Sequence, residues 1–388
     1  MAEGSDVALC LNSGSSSLKF ALFRVESSSE QPLATGLVEQ LGGEHARASL
    51  KVGDRKIERA CPKASLSEAL DLAFQLLADQ ALPEATLIGH RVVHGGSEHL
   101  APARIDAALV ESLKGLIPLA PLHQPSAIAG MEATLARLPG VPQVACFDTS
   151  FHARLPEHAA RFPLPAALYE AGVRRYGFHG LSYEYVLSTL GTPPPERVII
   201  AHLGSGASLV AIRDGQSIDT TMGFTPAGGI MMGTRTGDLD PGLLVYLMRE
   251  RGYSVDALEA LIVRQSGLLG VAGSADMRDL VERREHDPLA RLAITMMGYS
   301  VRKAIGSYMA ALGGLDVLVF AGGIGEHVPA IREEACRGLA AFGVSLDSAK
   351  NERSEKSIHS QQSATRILIV ETDEDRMIAR HARRAIRG

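Results

Sequence analysis

The sequence predicts an α/β chain built from two related halves, and three observations predict it. Strand-like apolar runs alternate along the chain with segments whose apolar residues have helical spacing. A strand, a glycine-serine turn and a second strand stand near the start, and the same design returns about half the chain later. At roughly 150 residues per domain, 388 residues exceed one ordinary domain, and each half is long enough to bury a core of its own.

Each element has a local reason. Val7–Leu11 is a continuous apolar run, Asn12–Ser17 is a turn of small residues, and Leu18, Phe20 and Leu22 then alternate as a second strand. Ser65–Gln80 and Asp106–Leu116 have helical spacing. A strand ends at Phe147-Asp-Thr-Ser150, and the domain break is placed just after it; Pro163, Pro165 and Pro193–Pro195 punctuate loops. Val198–Ala201 leads into a second turn, His202–Ser208, and Leu209–Ile212 follows before the turn Arg213-Asp-Gly215. Ser254–Arg264 and Pro288–Leu312 are again helical. Leu315–Phe320 is a buried strand, Ala321–Gly325 a turn, and Pro329–Cys336 a helix with proline in its first turn. Matching Ser17-Leu18 to Ser208-Leu209 aligns the two hairpins and suggests two related halves, although two glycine-serine turns can also resemble each other by chance.

Composition narrows the function classes. Hydrophobic residues at 46% and charged residues at 21% exclude a disordered or fibrous chain. With 39 Lys plus Arg against 44 Asp plus Glu, a net charge of −5 and no basic run, a nucleic-acid partner is not expected. The start, Met1 to Asp6, lacks a signal-peptide pattern, and no apolar run approaches the roughly 18 residues of a membrane span. Cys10, Cys61, Cys146 and Cys336 are far apart without C-x-x-C, as free thiols of a reduced cytoplasm would be. The expectation is a soluble cytoplasmic protein with no membrane partner.

Three constellations carry chemistry. In both hairpin turns, Gly and Ser let backbone N–H groups converge on an anion; Asn12, Ser15–Ser17 and Lys19 form one such phosphate cradle, and Gly322-Gly-Ile-Gly325 is a third glycine segment. Arg91 in Gly89–Gly96 and Arg235 in Met232–Pro241 sit in uncharged, glycine-bearing stretches, a setting suited to gripping a carboxylate or phosphoryl group through two parallel hydrogen bonds. The alternative is that each pairs a structural carboxylate, for which Asp238 and Asp240 stand near Arg235. Asp148 ends a strand, where α/β sites gather; His179 lies between Phe178 and a glycine, and His123 in a proline-rich loop, either of which is also consistent with a structural histidine. Zinc spacing, a G-x-S-x-G elbow, a Walker A loop and G-x-G-x-x-G are all absent.

Together these residues resemble the acetokinase (acetate kinase) family. Leu11–Lys19, Gly89–Gly96, Phe147–His152, Arg175–Gly180, Met222–Pro226, Gly233–Pro241, Ser266–Gly270, Asp276–Arg278 and Gly322–Glu326 follow its motifs in order. The resemblance implies two duplicated actin-like (ribonuclease H-like) α/β domains around a central cleft. Domain I is residues 1–149, with a C-terminal helix of about 376–388 packing back onto it; domain II, residues 150–375, carries the nucleotide site and the interface of a homodimer. It further implies Mg²⁺-dependent phosphoryl transfer from ATP to acetate, giving acetyl phosphate and ADP, with Mn²⁺ as a substitute ion. Asp148, His179, Arg235 and Arg91 would be catalytic. Arg91, Val93, Leu122, His123, Phe178 and Pro226 would bind acetate, the apolar members taking its methyl group. Lys19, His202, Leu203, Gly204, Ser205, Gly206, Asp276, Met277, Arg278, Gly323, Ile324, Gly325, Glu326 and His327 would bind the nucleotide, and Asn12 and Glu374 the metal.

The chain departs from the family pattern at Ser205, Gln124 and His327, where Asn is usual, and at Leu181-Ser-Tyr183, where Thr-Ser-His is usual. Acetate is already ionised at neutral pH and needs no general base, so Asp148 is expected to orient a neighbour rather than remove a proton. Arg91 and Arg235 come from opposite halves, so the site is expected to be complete only on closure. The rival readings are a hydroxyl kinase with Asp148 as base, an actin-like nucleotide switch and, within the family, a propionate kinase.

Overall fold

The computed structural model describes residues 5–27 and 29–387. Met1–Gly4, read above for targeting signals, and Gly388, the last residue of the expected C-terminal helix, lie outside them. The chain divides into two compact units. One runs up to Ala153 and resumes at Asp373; the other is Arg154–Thr372.

In the first unit, β1 (Asp6–Ser13), β2 (Ser17–Val25), β3 (Glu30–Glu39), β4 (Arg47–Val52) and β5 (Arg55–Ala60) are joined antiparallel in succession. On the other side of β1 lie β6 (Leu87–Val92), β7 (Ala103–Arg104) and β8 (Gln143–Phe147), in the order β1-β6-β8-β7, with β6 parallel to β1 and β8 parallel to β6. The uninterrupted apolar run of β1 follows from burial on both faces. Successive side chains point to opposite faces. Leu9 and Leu11 join a core with Leu70 and Leu76 of the helix Leu66–Asp79, while the Cys10 Sγ reaches the Asp375 carbonyl at 3.1 Å. The helix Glu374–Arg387 packs across β1, β2, β6 and β8. Gly89 on β6 is bare for this reason: a Cβ there would lie 2.3 Å from Ile378. The expected helices end where their caps stand. Ser65 and Glu68 form a capping box, and Asp106 accepts the Leu109 N–H.

In the second unit, β9 (Arg197–Leu203), β10 (Ala207–Arg213), β11 (Gln216–Thr220), β12 (Val317–Ala321) and β13 (Arg366–Ile369) form a sheet ordered β11-β10-β9-β12-β13. Asp214 and Gly215, at φ 50° and 78°, make the two-residue turn between β10 and β11. Helices Val255–Arg264 and Pro288–Leu312 stand where the spacing predicts, and the second packs on β9 and β10.

The sheets repeat one design. Read as β3-β2-β1-β6-β8 and β11-β10-β9-β12-β13, both have three antiparallel strands followed by two parallel ones. Two local readings change. The strands run further than expected, so Asn12 and His202 are strand residues, and the second turn is shorter: Ser13 pairs Leu18, but Leu203 pairs Ala207. Ala321–Gly325 is not a turn. Gly322, at φ 74°, breaks the strand sharply and starts the short helix Gly322–His327.

No helix among the described residues is long and apolar enough to cross a membrane, and none of the four cysteines forms a disulfide.

Candidate active site

The first unit gathers charge around Arg91. Arg91 leaves β6 one residue before its end, and Asp148 follows β8, its neighbour, so register alone brings the two side chains together. Arg91 Nε donates to both carboxylate oxygens of Asp148, at 3.1 and 3.2 Å, and Nη2 donates to Oδ2 at 2.7 Å. Its remaining nitrogen, Nη1, lies 3.1 Å from Glu374 at the start of the last helix. Burial opposes the charge on Arg91, but Asp148 and Glu374 raise its pKa overall, so it stays a cation. Burial likewise holds the Asp148 carboxyl above its usual range, against the pull of Arg91. Next to Glu374, burial and the neighbouring Glu374 and Asp373 push Asp375 up to about 6.

Lys19 pairs Asn12 across the first hairpin and lies near Asp375. Val93 follows Arg91 closely on the same segment; Leu122 and His123 precede the helix Gln124–Arg137. The metal-ligand candidates fit a hard ion. Asn12 and Glu374 offer oxygen donors, and the Cys10–Asp375 contact brings the last helix beside β1 two residues before Asn12. Among the described residues no cluster of three or more His, Cys, Asp or Glu forms a metal cage.

The second unit gathers an anion cradle around the turn of its hairpin. The Gly206 Cα faces two donors: a Cβ built there would lie 3.5 Å from His179 Nε2 and 3.6 Å from Arg235 Nη1. The Gly233 N–H donates to the Ser205 carbonyl at 3.4 Å, and a Cβ on Gly233 would touch both Ser205 and Ala275, just before Asp276. A Cβ on Gly322 would lie 2.8 Å from the Leu203 carbonyl, whereas space above Gly323 is open. Four segments distant in sequence therefore close on one turn.

Arg235 is distinct from Arg91. Among the described residues no carboxylate is within ion-pair distance of it: Asp238 accepts the Gly229 N–H at 2.7 Å, and Asp240 caps the helix Pro241–Arg251. Its Nη1 donates to the Pro226 carbonyl at 2.9 Å, and burial lowers its pKa with nothing to offset it. A half-buried guanidinium without a carboxylate is a prepared anion site.

His179 caps the helix Gly180–Thr189 in the left-handed conformation (φ 61°, ψ 22°), an uncommon state for a non-glycine residue. Its Nδ1 is 2.8 Å from Ser208 Oγ, and its ring stacks on His202 with centroids 4.4 Å apart. Ser182 Oγ reaches His202 Nδ1 at 2.7 Å. Since His202 and Ser208 are paired across β9 and β10, helix and hairpin exchange two serine–histidine contacts.

Met277 is buried, and Arg278 points outward onto Asp276. Glu326 turns inward, its carboxylate accepting the Thr372 N–H at 3.3 Å, with burial raising its pKa. His327 is exposed. Sequence reasoning missed Ser208 and Tyr183 as partners of His179. It also missed Arg332, fully buried, whose pKa burial lowers to about 10 and which donates to the Gly325 and Glu326 carbonyls at 2.8 and 3.0 Å. A lone arginine inside an otherwise inward-facing helical stretch was the available signal.

A duplicated sheet of this order, with an arginine and a histidine converging on a glycine-bearing turn, defines a phosphotransferase of the actin-like, two-domain α/β class. The chain belongs to the acetokinase family, whose model matches residues 7–380. It is 43% identical over 387 residues to the acetate kinase of Sulfurovum sp. (strain NBC37-1), covering 96% of this chain and 97% of that one. Among solved structures it resembles a propionate kinase from Francisella tularensis subsp. tularensis SCHU S4, at 39% identity, TM-score 0.93 and coverage of 98% and 99%. It also resembles Porphyromonas gingivalis acetate kinase, at 37% identity, TM-score 0.88 and coverage of 98% and 100%.

Proposed function

We propose that this chain phosphorylates a short carboxylate, acetate in the first instance, from ATP with Mg²⁺, giving the acyl phosphate and ADP. The single observation that carries the reading is Arg235: a half-buried guanidinium with no carboxylate partner among the described residues, near His179 Nε2, over a turn with no side chain in the way.

The chemistry follows from charge. Acetate is a nucleophile already, and the obstacle is bringing one anion against another. Arg91 supplies a fixed positive charge for the carboxylate, and Asp148, through its two-oxygen grip, sets the plane of that guanidinium. Arg235 and His179 donate to the equatorial oxygens of the transferring phosphoryl group as charge spreads over them. Asn12 and Glu374 would hold Mg²⁺, which supplies charge compensation at the phosphates. Lys19 and the His202–Gly206 and Gly322–Gly325 segments would hold the nucleotide. Val93, Leu122, Phe178 and Pro226 would set the acid's chain length. We place the protein in the cytoplasm, where ATP and acetate meet.

A homodimer is part of the proposal. Leu289, Leu292, Met296 and Tyr299 form an exposed stripe at helical spacing on Pro288–Leu312, and Leu243, Val245, Tyr246 and Met248 are exposed on Pro241–Arg251. A second copy of this surface would cover them.

An ADP-release assay with and without acetate tests the activity. Acetate-dependent release supports it; acetate-independent release indicates a nucleotide switch, and a response only to sugars or glycerol a hydroxyl kinase. Rates on acetate, propionate and butyrate, with ATP and then pyrophosphate as donor, decide the preferred acid and donor.

A further inference from the structure

We propose that Ser208 and Tyr183 are positioning residues that hold His179 in one tautomer, with the proton on Nε2, so that it meets the phosphoryl group as a neutral, aimed donor. The inference rests on the phosphotransferase reading above and assigns two residues that the family motifs did not single out.

Ser208 Oγ lies between His179 Nδ1, at 2.8 Å, and Tyr183 Oη, at 2.5 Å. A serine hydroxyl has one proton and two lone pairs, so it donates to at most one of these neighbours. Tyr183 is fully buried, and burial raises its pKa far above the usual range, so it remains a phenol. A phenol is a stronger donor than an aliphatic alcohol, and an aliphatic oxygen is the better acceptor. The relay therefore runs from Tyr183 to Ser208 to His179 Nδ1. Nδ1 accepts, and the ring proton stands on Nε2, the atom beside Arg235 Nη1 over Gly206. With a proton on Nδ1, the serine would either accept from both neighbours, leaving its own proton without either of them, or donate to the phenol oxygen.

The ring is held on its other sides as well. His202 stacks on it at 22°, pinned by Ser182, and Tyr183 meets it edge-on. The arrangement suits the chemistry: Arg235 supplies the positive charge, and a neutral donor next to it adds a hydrogen bond without repelling the guanidinium.

Nitrogen NMR of resting protein labelled with ¹⁵N-histidine tests this, with the His179 signals assigned by their loss in His179→Gln. The expected spectrum shows a protonated Nε2 and an unprotonated Nδ1. Tyr183→Phe, which keeps the ring, should shift the signals toward a tautomer mixture. It should also lower kcat about tenfold while the KM values for ATP and acetate stay within about twofold. Ser208→Ala should do the same, and the double variant should be no worse than Ser208→Ala alone. A protonated Nδ1 in the parent, or a Tyr183→Phe protein with unchanged spectrum and kcat, overturns the proposal. If Ser208→Ala does not fold, Tyr183→Phe alone decides. Because the spectrum needs no turnover, a chain that ignores acetate would overturn the functional reading and leave the tautomer question answered separately.

Discussion

Asp148 grips Arg91 through both carboxylate oxygens, with Nη2 to Oδ2 at 2.7 Å, while Glu374 approaches the remaining nitrogen from a helix more than two hundred residues later. Arg91 is thus a cation fixed between two carboxylates, and Arg235 is a cation without one among the described residues. The two arginines carry the same expectation from sequence and should respond differently to mutation.

Arg91→Ala should lose both activity and stability, because it leaves Asp148 buried and unpaired, a cost of about 3–5 kcal/mol. Arg91→Ala with Asp148→Asn should recover much of the stability and none of the rate. Denaturant midpoints and initial rates on the same preparations check this; a double variant no more stable than the single one contradicts it.

Arg235→Ala should fold like the parent, since no carboxylate loses its partner. Its barrier should rise by about 3–5 kcal/mol, the range for loss of a preorganised charge donor. A rate within threefold of the parent would remove Arg235 from the mechanism.

Glu374→Gln should raise the Mg²⁺ concentration for half-maximal rate at least about tenfold, since a carboxylate is worth more to a hard cation than an amide. Chelation of the metal should abolish transfer in the parent. The measurement is initial rate against free Mg²⁺, and an unchanged midpoint in the variant rejects Glu374 as a ligand.

Acid should weaken the first unit through Asp6. Hydrogen bonding to Arg387, with its charge and that of Arg383, holds the buried Asp6 carboxyl below its usual range. A depressed folded pKa means that this stabilisation is full above the ordinary Asp range, near 3.9, and is lost as pH falls through the lower folded value. Asp6→Asn should therefore destabilise the protein at pH 7 and flatten the acid limb of its stability profile below about pH 4. An acid limb as steep as the parent's would show that Asp6 is not its source.

The fold was largely legible because its signals are local. Both hairpins, the long helices and their Ser65, Asp106 and Ser254 caps follow from apolar periodicity and side-chain hydrogen bonds reaching two or three residues. The short helix at Gly322 was read as a turn because consecutive glycines report backbone freedom, not the direction the chain then takes. The candidate residues were legible by type through their unusual settings, such as arginine among glycines.

By itself, then, the sequence determined an α/β chain with a repeated hairpin, and the chemical kinds of group at its turns, since periodicity and residue type are written position by position. Only the tertiary structure decided partnership. It gave Asp148 and Glu374 to Arg91, left Arg235 without a carboxylate among the described residues, and linked Tyr183 and Ser208 to His179. The physical reason is that the charge, proton position and pKa of a buried group depend on what folding packs within a few ångströms, and those neighbours come from anywhere in the chain.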